Sequence, residues 1–186
     1  SAQTMPTPNL HTLVNARRQL AEAGIAIEQL NAPSASSCSS LPLLAEYGVT
    51  HAEPGHALTG TIPSNQKGDQ PERIAMLWLS EVSHNFRGDS YCYGGGYYRR
   101  GHAQNALVFT PESDTPIAAK LKPVDDSSID YYLPVAGEFP VSSAVIFCFR
   151  TQIFVTRSDV VLVSGIQHGA AEIVARYDSL GNILED

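Results

Sequence analysis

The residue types best suited to chemistry crowd into one stretch, His84-Asn85-Phe86-Arg87-Gly88-Asp89-Ser90-Tyr91-Cys92-Tyr93-Gly94-Gly95-Gly96-Tyr97-Tyr98-Arg99-Arg100-Gly101-His102. It holds four of the eight tyrosines, five of the fourteen glycines and three arginines. Tyrosine offers a rigid apolar ring with a hydroxyl, arginine a bidentate cationic fork, and glycine a backbone that a partner can approach closely. Together they are the composition of recognition loops. Arg87, Tyr91, Tyr93, Tyr97, Tyr98, Arg99 and Arg100 are therefore the candidate contacts to a protein partner or a polar ligand. The Gly94-Gly95-Gly96 run lacks the Gly-Lys-Ser/Thr ending of a phosphate-binding loop and the strand-to-helix setting of a dinucleotide site.

A second chemistry is nucleophilic. A cysteine nucleophile needs a base, usually histidine, and gains from a helix N-terminus that lowers its pKa. Cys38 precedes a short helical pattern, and His102 precedes the first strand pattern 64 residues later. That order resembles papain-like and NlpC-type cysteine hydrolases and deamidases. The resemblance implies an amidase, peptidase or deamidase, with Asp114 as the nearest candidate for a third, orienting residue. Cys92 with His102 forms a second pairing, in a β setting similar to the toxin-type glutamine deamidases. Neither cysteine has the flanking residues of those families, so a non-enzymatic recognition module leads and the cysteine enzyme is its alternative. Cys148, between Phe147 and Phe149, reads as a packing residue or a bridge partner. Arg87-Gly88-Asp89-Ser90 matches the integrin-binding tetrapeptide, which matters only on an exposed loop tip; a chance match is the reading adopted.

Metal chemistry has less support. His51, Glu53 and His56 place two imidazoles and a carboxylate within six residues, yet a solvated loop accounts for them, and no metal or cofactor is expected. Asp125, Asp126 and Asp130 lack the glycine and terminal glutamate of a calcium loop and read as a turn.

Composition narrows the classes further. The 186 residues are 43% hydrophobic and 17% charged, with a formal net charge of −7. That content excludes a disordered chain, and no apolar run is long enough for a membrane-spanning helix. An acidic surface repels phosphate backbones, so nucleic acid is an unlikely partner. A homo-oligomer, or a structural subunit of a larger assembly, is compatible with the acidic, β-rich character. Three cysteines cannot close into a disulfide framework. The start, Ser1-Ala2-Gln3-Thr4, shows no targeting segment, and a mature secreted or periplasmic form fits it. The compartment stays open.

The elements that must position these residues change character along the chain. Thr7-Pro8 is an N-cap followed by proline at the first helical position, and Gly24 ends the pattern, which predicts a helix over 8–23. Residues 25–30 fit a short strand or a further turn, and 41–47 a short helix stopping at Gly48. A strand fits 57–62. Asp69-Gln70-Pro71-Glu72 resembles a helix start and Ile74, Leu77, Trp78 and Val82 are spaced for one face, so 71–82 is read as helical, with a buried strand over 74–79 as the alternative. After residue 104, short β-branched and aromatic runs alternate with turn clusters, the pattern of antiparallel strands. Residues 160–165 and 172–183 look like one repeat of the β-propeller-like families, which implies a hairpin and no function. The fold class expected is α+β, with N-terminal helices packed on a C-terminal antiparallel meander of five to seven strands. The whole is read as one domain: a helical layer over 1–86, a loop over 87–103 and a β layer over 104–186. Far-UV circular dichroism should accordingly show more strand than helix, and a spectrum more than half helical would contradict this organisation.

Overall fold

A computed structural model of the chain describes residues 5–32, 36–61, 70–98, 105–122, 129–147 and 158–185, with the backbone alone at 94–98 and 129–132. The chain divides into two compact units, Ser1–Met76 and Leu77–Asp186. It combines a few helices with an antiparallel sheet, as an α+β class requires.

The first unit carries helices α1 (Pro8–Glu22), α2 (Leu41–Glu46) and α3 (His56–Thr59). Thr7 caps α1 as its sequence predicts, Oγ1 accepting from the Leu10 amide at 3.3 Å. Past its C-terminus, Gly24 takes φ 83° and the Ile25 amide returns to the Leu20 carbonyl, a glycine stop. The exposed carbonyls ending α2 are met by Arg17, whose guanidinium donates to Gly48 O at 2.8 Å. That cation at a helix C-terminus also opposes the negative end of the dipole. Residues 57–62 were expected to be extended, but α3 occupies the start of that range. Gly60 (φ 70°) then turns the chain so tightly that a Cβ would lie 2.0 Å from Arg73 O.

The second unit is built on six antiparallel strands: β1 (Trp78–Phe86), β2 (Asp89–Tyr98), β3 (Asn105–Phe109), β4 (Ile117–Lys120), β5 (Ile129–Ala136) and β6 (Ala144–Phe147). Their spatial order is β4-β3-β6-β1-β2-β5. Just past β4, Leu121 bridges to Val135 and the Lys122 amide reaches Pro134 O at 2.9 Å, which curls the sheet nearly into a barrel. Two of its six strands, β1 and β2, precede residue 104, where the sheet was expected to begin. A meander is not what they form, because β1 pairs with both β2 and β6 and only β1–β2 and β3–β4 are sequential neighbours. A separate two-stranded sheet, β7 (Val160–Ser164) with β8 (Glu172–Tyr177), follows. Its strands agree with the hairpin read at 160–177.

Two assignments are corrected. No helix forms over 71–82, where one was expected: residues 71–77 take no regular structure and Trp78–Phe86 form β1. Trp78, Ser80 and Val82 alternate inward opposite Phe147, Val145 and Cys92, so the period is two. Leu77 and Leu79 hide it, because apolar side chains stand on the outer side of the strand as well; Leu79 is 69% exposed. Residues 89–98, read as loop, are β2. Arg87 (φ 54°) and Gly88 (φ 83°) form the two-residue connection. Two successive left-handed residues are the requirement of the hairpin turn that matches strand twist. The glycine run lies in the strand, where pairing with β5 shifts register between Tyr93 and Tyr97, a usual place for glycine.

The core lies within the curled sheet. Val82, Cys92, Val108, Leu133, Val135, Val145 and Phe147 are essentially sealed from solvent and form one cluster with Ala106, Ala119 and Leu121. One end is closed by the connection 137–143. Ser90, fully buried on β2, sits with Oγ 2.6 Å from Asn85 Oδ1 and 2.9 Å from Gly137 O, and accepts from the Phe139 amide at 2.8 Å. Asn85 Nδ2 donates to Phe139 O at 2.9 Å. The connection is further tied by the Ser142 amide donating to Val82 O at 2.8 Å, although Ser142 must take φ 68° to do so, a conformation costing about 1 kcal/mol or more for a non-glycine residue.

Ser90→Ala removes an oxygen and almost no volume, so it isolates the hydrogen bonds from packing. Leaving the Phe139 amide unsatisfied should destabilise the second unit by about 1–3 kcal/mol, read as a lower urea midpoint. A midpoint unchanged within error would show that the connection is held without Ser90.

Candidate functional site

Because β1 and β2 are joined by a two-residue turn, the side chains flanking it fall into fixed rows. Phe86 faces Asp89, Asn85 faces Ser90, and His84 faces Tyr91. Asn85 and Ser90 point toward the connection that closes the barrel, which leaves His84, Phe86, Asp89 and Tyr91 together on the outer face. The rings then meet. His84 and Tyr91 stack with centroids 5.0 Å apart and planes 9° from parallel. Phe86 approaches Tyr91 at 6.5 Å with a 60° tilt, and the Arg87 guanidinium lies 4.9 Å from the Phe86 centroid, inside the range of a cation–π contact.

Polar groups fix this arrangement. Ser83 Oγ donates to Tyr91 O at 2.8 Å and lies 2.9 Å from His84 Nδ1. The Asp89 carboxylate is engaged by Lys122 Nζ at 2.6 Å. Tyr93 follows on the same outward phase of β2 and is 61% exposed, with its carbonyl accepting from Ser80 Oγ. The result is an outward aromatic row in which half-buried Tyr91 lies among exposed His84, Phe86 and Tyr93, ended by a cation. Such a surface stacks against planar or apolar groups and offers hydrogen bonds at its rim.

Of the candidate binding residues, Arg87, Tyr91 and Tyr93 are gathered on this face. Tyr97 and Tyr98 continue β2 as backbone, whereas Arg99 and Arg100 lie outside the described residues. His84 and Phe86 were missed as contacts. The available signal was the alternation His84-x-Phe86 and Tyr91-x-Tyr93 on either side of an Arg-Gly turn. As for the Arg-Gly-Asp match, the tip presents Arg87 and Gly88 to solvent, while Asp89 is held by Lys122.

The thiol candidates separate. Cys92 is 1% exposed inside the barrel, and burial raises its pKa from 9.0 to about 12. It is a neutral packing residue at physiological pH. Cys38 is exposed in the turn before α2, its amide donating to Glu72 Oε1 at 2.6 Å. It belongs to the first unit, and Asp114, exposed in the β3–β4 turn, to the second. His102 and Cys148 lie outside the described residues. His51 Nδ1 is 2.8 Å from Thr50 Oγ1, Glu53 accepts from Asn31, and His56 faces Thr61. Among the described residues no group of three His, Cys, Asp or Glu is placed to hold a metal ion. Among them, too, no helix is long and apolar enough to cross a membrane.

Comparison with known proteins bears on the second unit directly. Residues 77–173 match the YhfX-like, C-terminal domain. The chain is also 80% identical over 182 residues to the uncharacterized protein YhfX of Escherichia coli (strain K12). That match covers 98% of this chain and 47% of the relative, so the chain spans about half the length of the curated relative it matches. The matched domain opens at the residue where the barrel unit opens and accounts for over half of the sequence. The chain therefore belongs to the YhfX-like family.

Proposed function

We propose that the barrel unit is a non-enzymatic recognition module, and that the outer face of the β1–β2 hairpin is its contact surface for a protein partner or a polar ligand. One observation carries this reading. The hairpin groups the His84, Tyr91 and Phe86 rings and the Arg87 guanidinium on its outer face, with Tyr91 half-buried and Tyr93 exposed on the same side, on a strand pair whose opposite face is locked into the core. Rings exposed on a loop lose conformational freedom when they bind. Rings on a paired strand have largely lost it already, so less of the contact energy is consumed by ordering. Tyrosine and arginine are also the types that dominate binding hot spots.

The alternative, a cysteine-dependent hydrolase or deamidase, favours exposed Cys38 over Cys92, which is buried and whose pKa burial raises. The sign of its linkage is fixed. Burial pushes the folded thiol up to about 12, above the 9.0 of a solvated thiol, so the unfolded state releases its proton first as pH rises. The stabilisation from keeping Cys92 neutral is complete below about pH 9 and is lost between there and pH 12. Alkylation at pH 8, followed by mass mapping, should label Cys38 while leaving Cys92 intact in the folded protein. Rapid labelling of native Cys92 would contradict its burial and reopen it as a nucleophile.

The recognition surface is tested by a photo-crosslinking amino acid at Tyr93, compared with the same group at exposed Glu172. A discrete adduct formed in cells from the Tyr93 position, absent from the control and lost on combining Phe86→Ala with Arg87→Ala, is expected. The paired substitution lies on the outer face and should shift unfolding by less than about 1 kcal/mol. Identical adduct patterns from both positions would remove the hairpin from the binding site.

A further inference from the structure

The register of the hairpin leaves Ser83 without a cross-strand partner. Val82 faces Cys92 and His84 faces Tyr91, so β1 advances two residues where β2 advances one. In an unbroken strand Ser83 and His84 would point to opposite sides. The bulge removes that alternation, a device by which strands re-aim a side chain, and the Ser83 hydroxyl comes within 2.9 Å of His84 Nδ1. The imidazole is held a second time by its stack on Tyr91, the two planes 9° apart.

Proton counting then fixes the tautomer. A hydroxyl has one proton to give, and Ser83 gives it to Tyr91 O at 2.8 Å, a carbonyl that can only accept. Toward His84 the same oxygen has only lone pairs to offer, so Nδ1 carries the hydrogen. In a neutral imidazole the other nitrogen is then an acceptor. Histidine free in water prefers the opposite form, with the hydrogen on Nε2, so Ser83 reverses an intrinsic preference. Nε2 lies across the ring from Nδ1 on an exposed residue, and among the described residues it has no hydrogen-bond partner. Exposed Phe86 toward the turn and exposed Tyr93 away from it flank the ring with apolar surface.

We infer that Ser83 is a positioning residue holding His84 in the Nδ1–H form, and that the hairpin face therefore takes a planar ring bearing an O–H or N–H donor aimed at His84 Nε2. The ligand ring lies against Phe86 and Tyr93 while its donor meets the imidazole. The charged groups of the face do not compete for that donor. Arg87 and Lys122 have only donors of their own, and the Asp89 carboxylate is engaged by Lys122. His84 Nε2 is thus the nitrogen acceptor beside the rings. The inference deepens the reading of this face as a contact surface and rests on it, but the tautomer is measured with no partner present.

Long-range nitrogen–proton correlation of the histidine rings reads the tautomer directly, with His84→Gln identifying one set of signals among the six histidines. At about pH 8, where histidine rings are ordinarily neutral, Nδ1 of His84 should show the protonated shift and Nε2 the unprotonated one. Ser83→Ala should return the ring to the Nε2–H form, whereas Ser83→Thr, which keeps the hydroxyl, should retain Nδ1–H. Phenol and anisole then serve as probes, alike in their ring and different in the donor. Phenol should perturb His84 Nε2 at concentrations about threefold to tenfold below those anisole requires, the net effect of one hydrogen bond. Ser83→Ala should erase that difference. An Nε2–H form in the unsubstituted protein would overturn the inference however the variants fold. A tautomer indifferent to Ser83→Ala, or equal effects of phenol and anisole, would overturn it as well. The Tyr93 crosslink can fail while these ring shifts hold, so the two readings fail separately.

Discussion

The barrel depends on one strand serving two neighbours. The first four residues of β1 pair with β6, its later residues pair with β2, and the register shifts between Val82 and His84. At the changeover, Val82 is fully buried, its amide donating to Ser143 O at 2.9 Å and its carbonyl accepting from Ser142. The bulge at this point bends the strand and raises its twist where pairing with β6 gives way to pairing with β2. From that bend follow the closure between β4 and β5 and the enclosed core.

The same bend fixes what the hairpin can show to solvent. Inward phase sends Cys92 into the core and Ser90 to the closed end; outward phase sends Tyr91 and Tyr93 to the surface. Reactive and recognising residues that are neighbours in sequence therefore reach opposite environments. Cys92 becomes a proton-retaining packing group because desolvation disfavours its anion, while one residue on either side a tyrosine stays at or near the surface. The stacked His84–Tyr91 pair is a consequence of register, since cross-strand neighbours sit close enough for their rings to interact.

What was legible in the sequence follows the range over which each signal acts. Thr7, Pro8, Gly24 and Gly48 mark helix ends through their own φ or their own side chain, and the helices begin and end beside them. Most strands after residue 104 were also readable, because alternation is local. β1 was not. Leu77 and Leu79 place apolar groups on its outer side, and the bulge breaks the period partway along. The hairpin was hidden by Arg87, since a left-handed arginine is not a recognised turn signal and only Gly88 announces one. The candidate site was half legible for the same reason. Composition picked out Arg87, Tyr91 and Tyr93, but the placing of His84 and Phe86 beside them required the pairing to be known.

The two units differ in how far they satisfy themselves, and that difference is informative about the family. The barrel unit closes its main sheet and fills it with Val, Leu and Phe side chains that no solvent reaches. It matches the recurrent C-terminal domain from its first residue. The N-terminal unit instead ties its segments together with polar contacts, Arg17 on the end of α2 and the Cys38 amide on Glu72 across more than thirty residues each and the Ser37 amide on Ser40 Oγ locally, while few of its described apolar side chains are buried. Hydrogen bonds of that kind fix geometry, yet each contributes only about 1 kcal/mol net, and they cannot replace a buried core as the source of stability. The boundary at residues 76 and 77 is thus also a boundary between two ways of being stabilised.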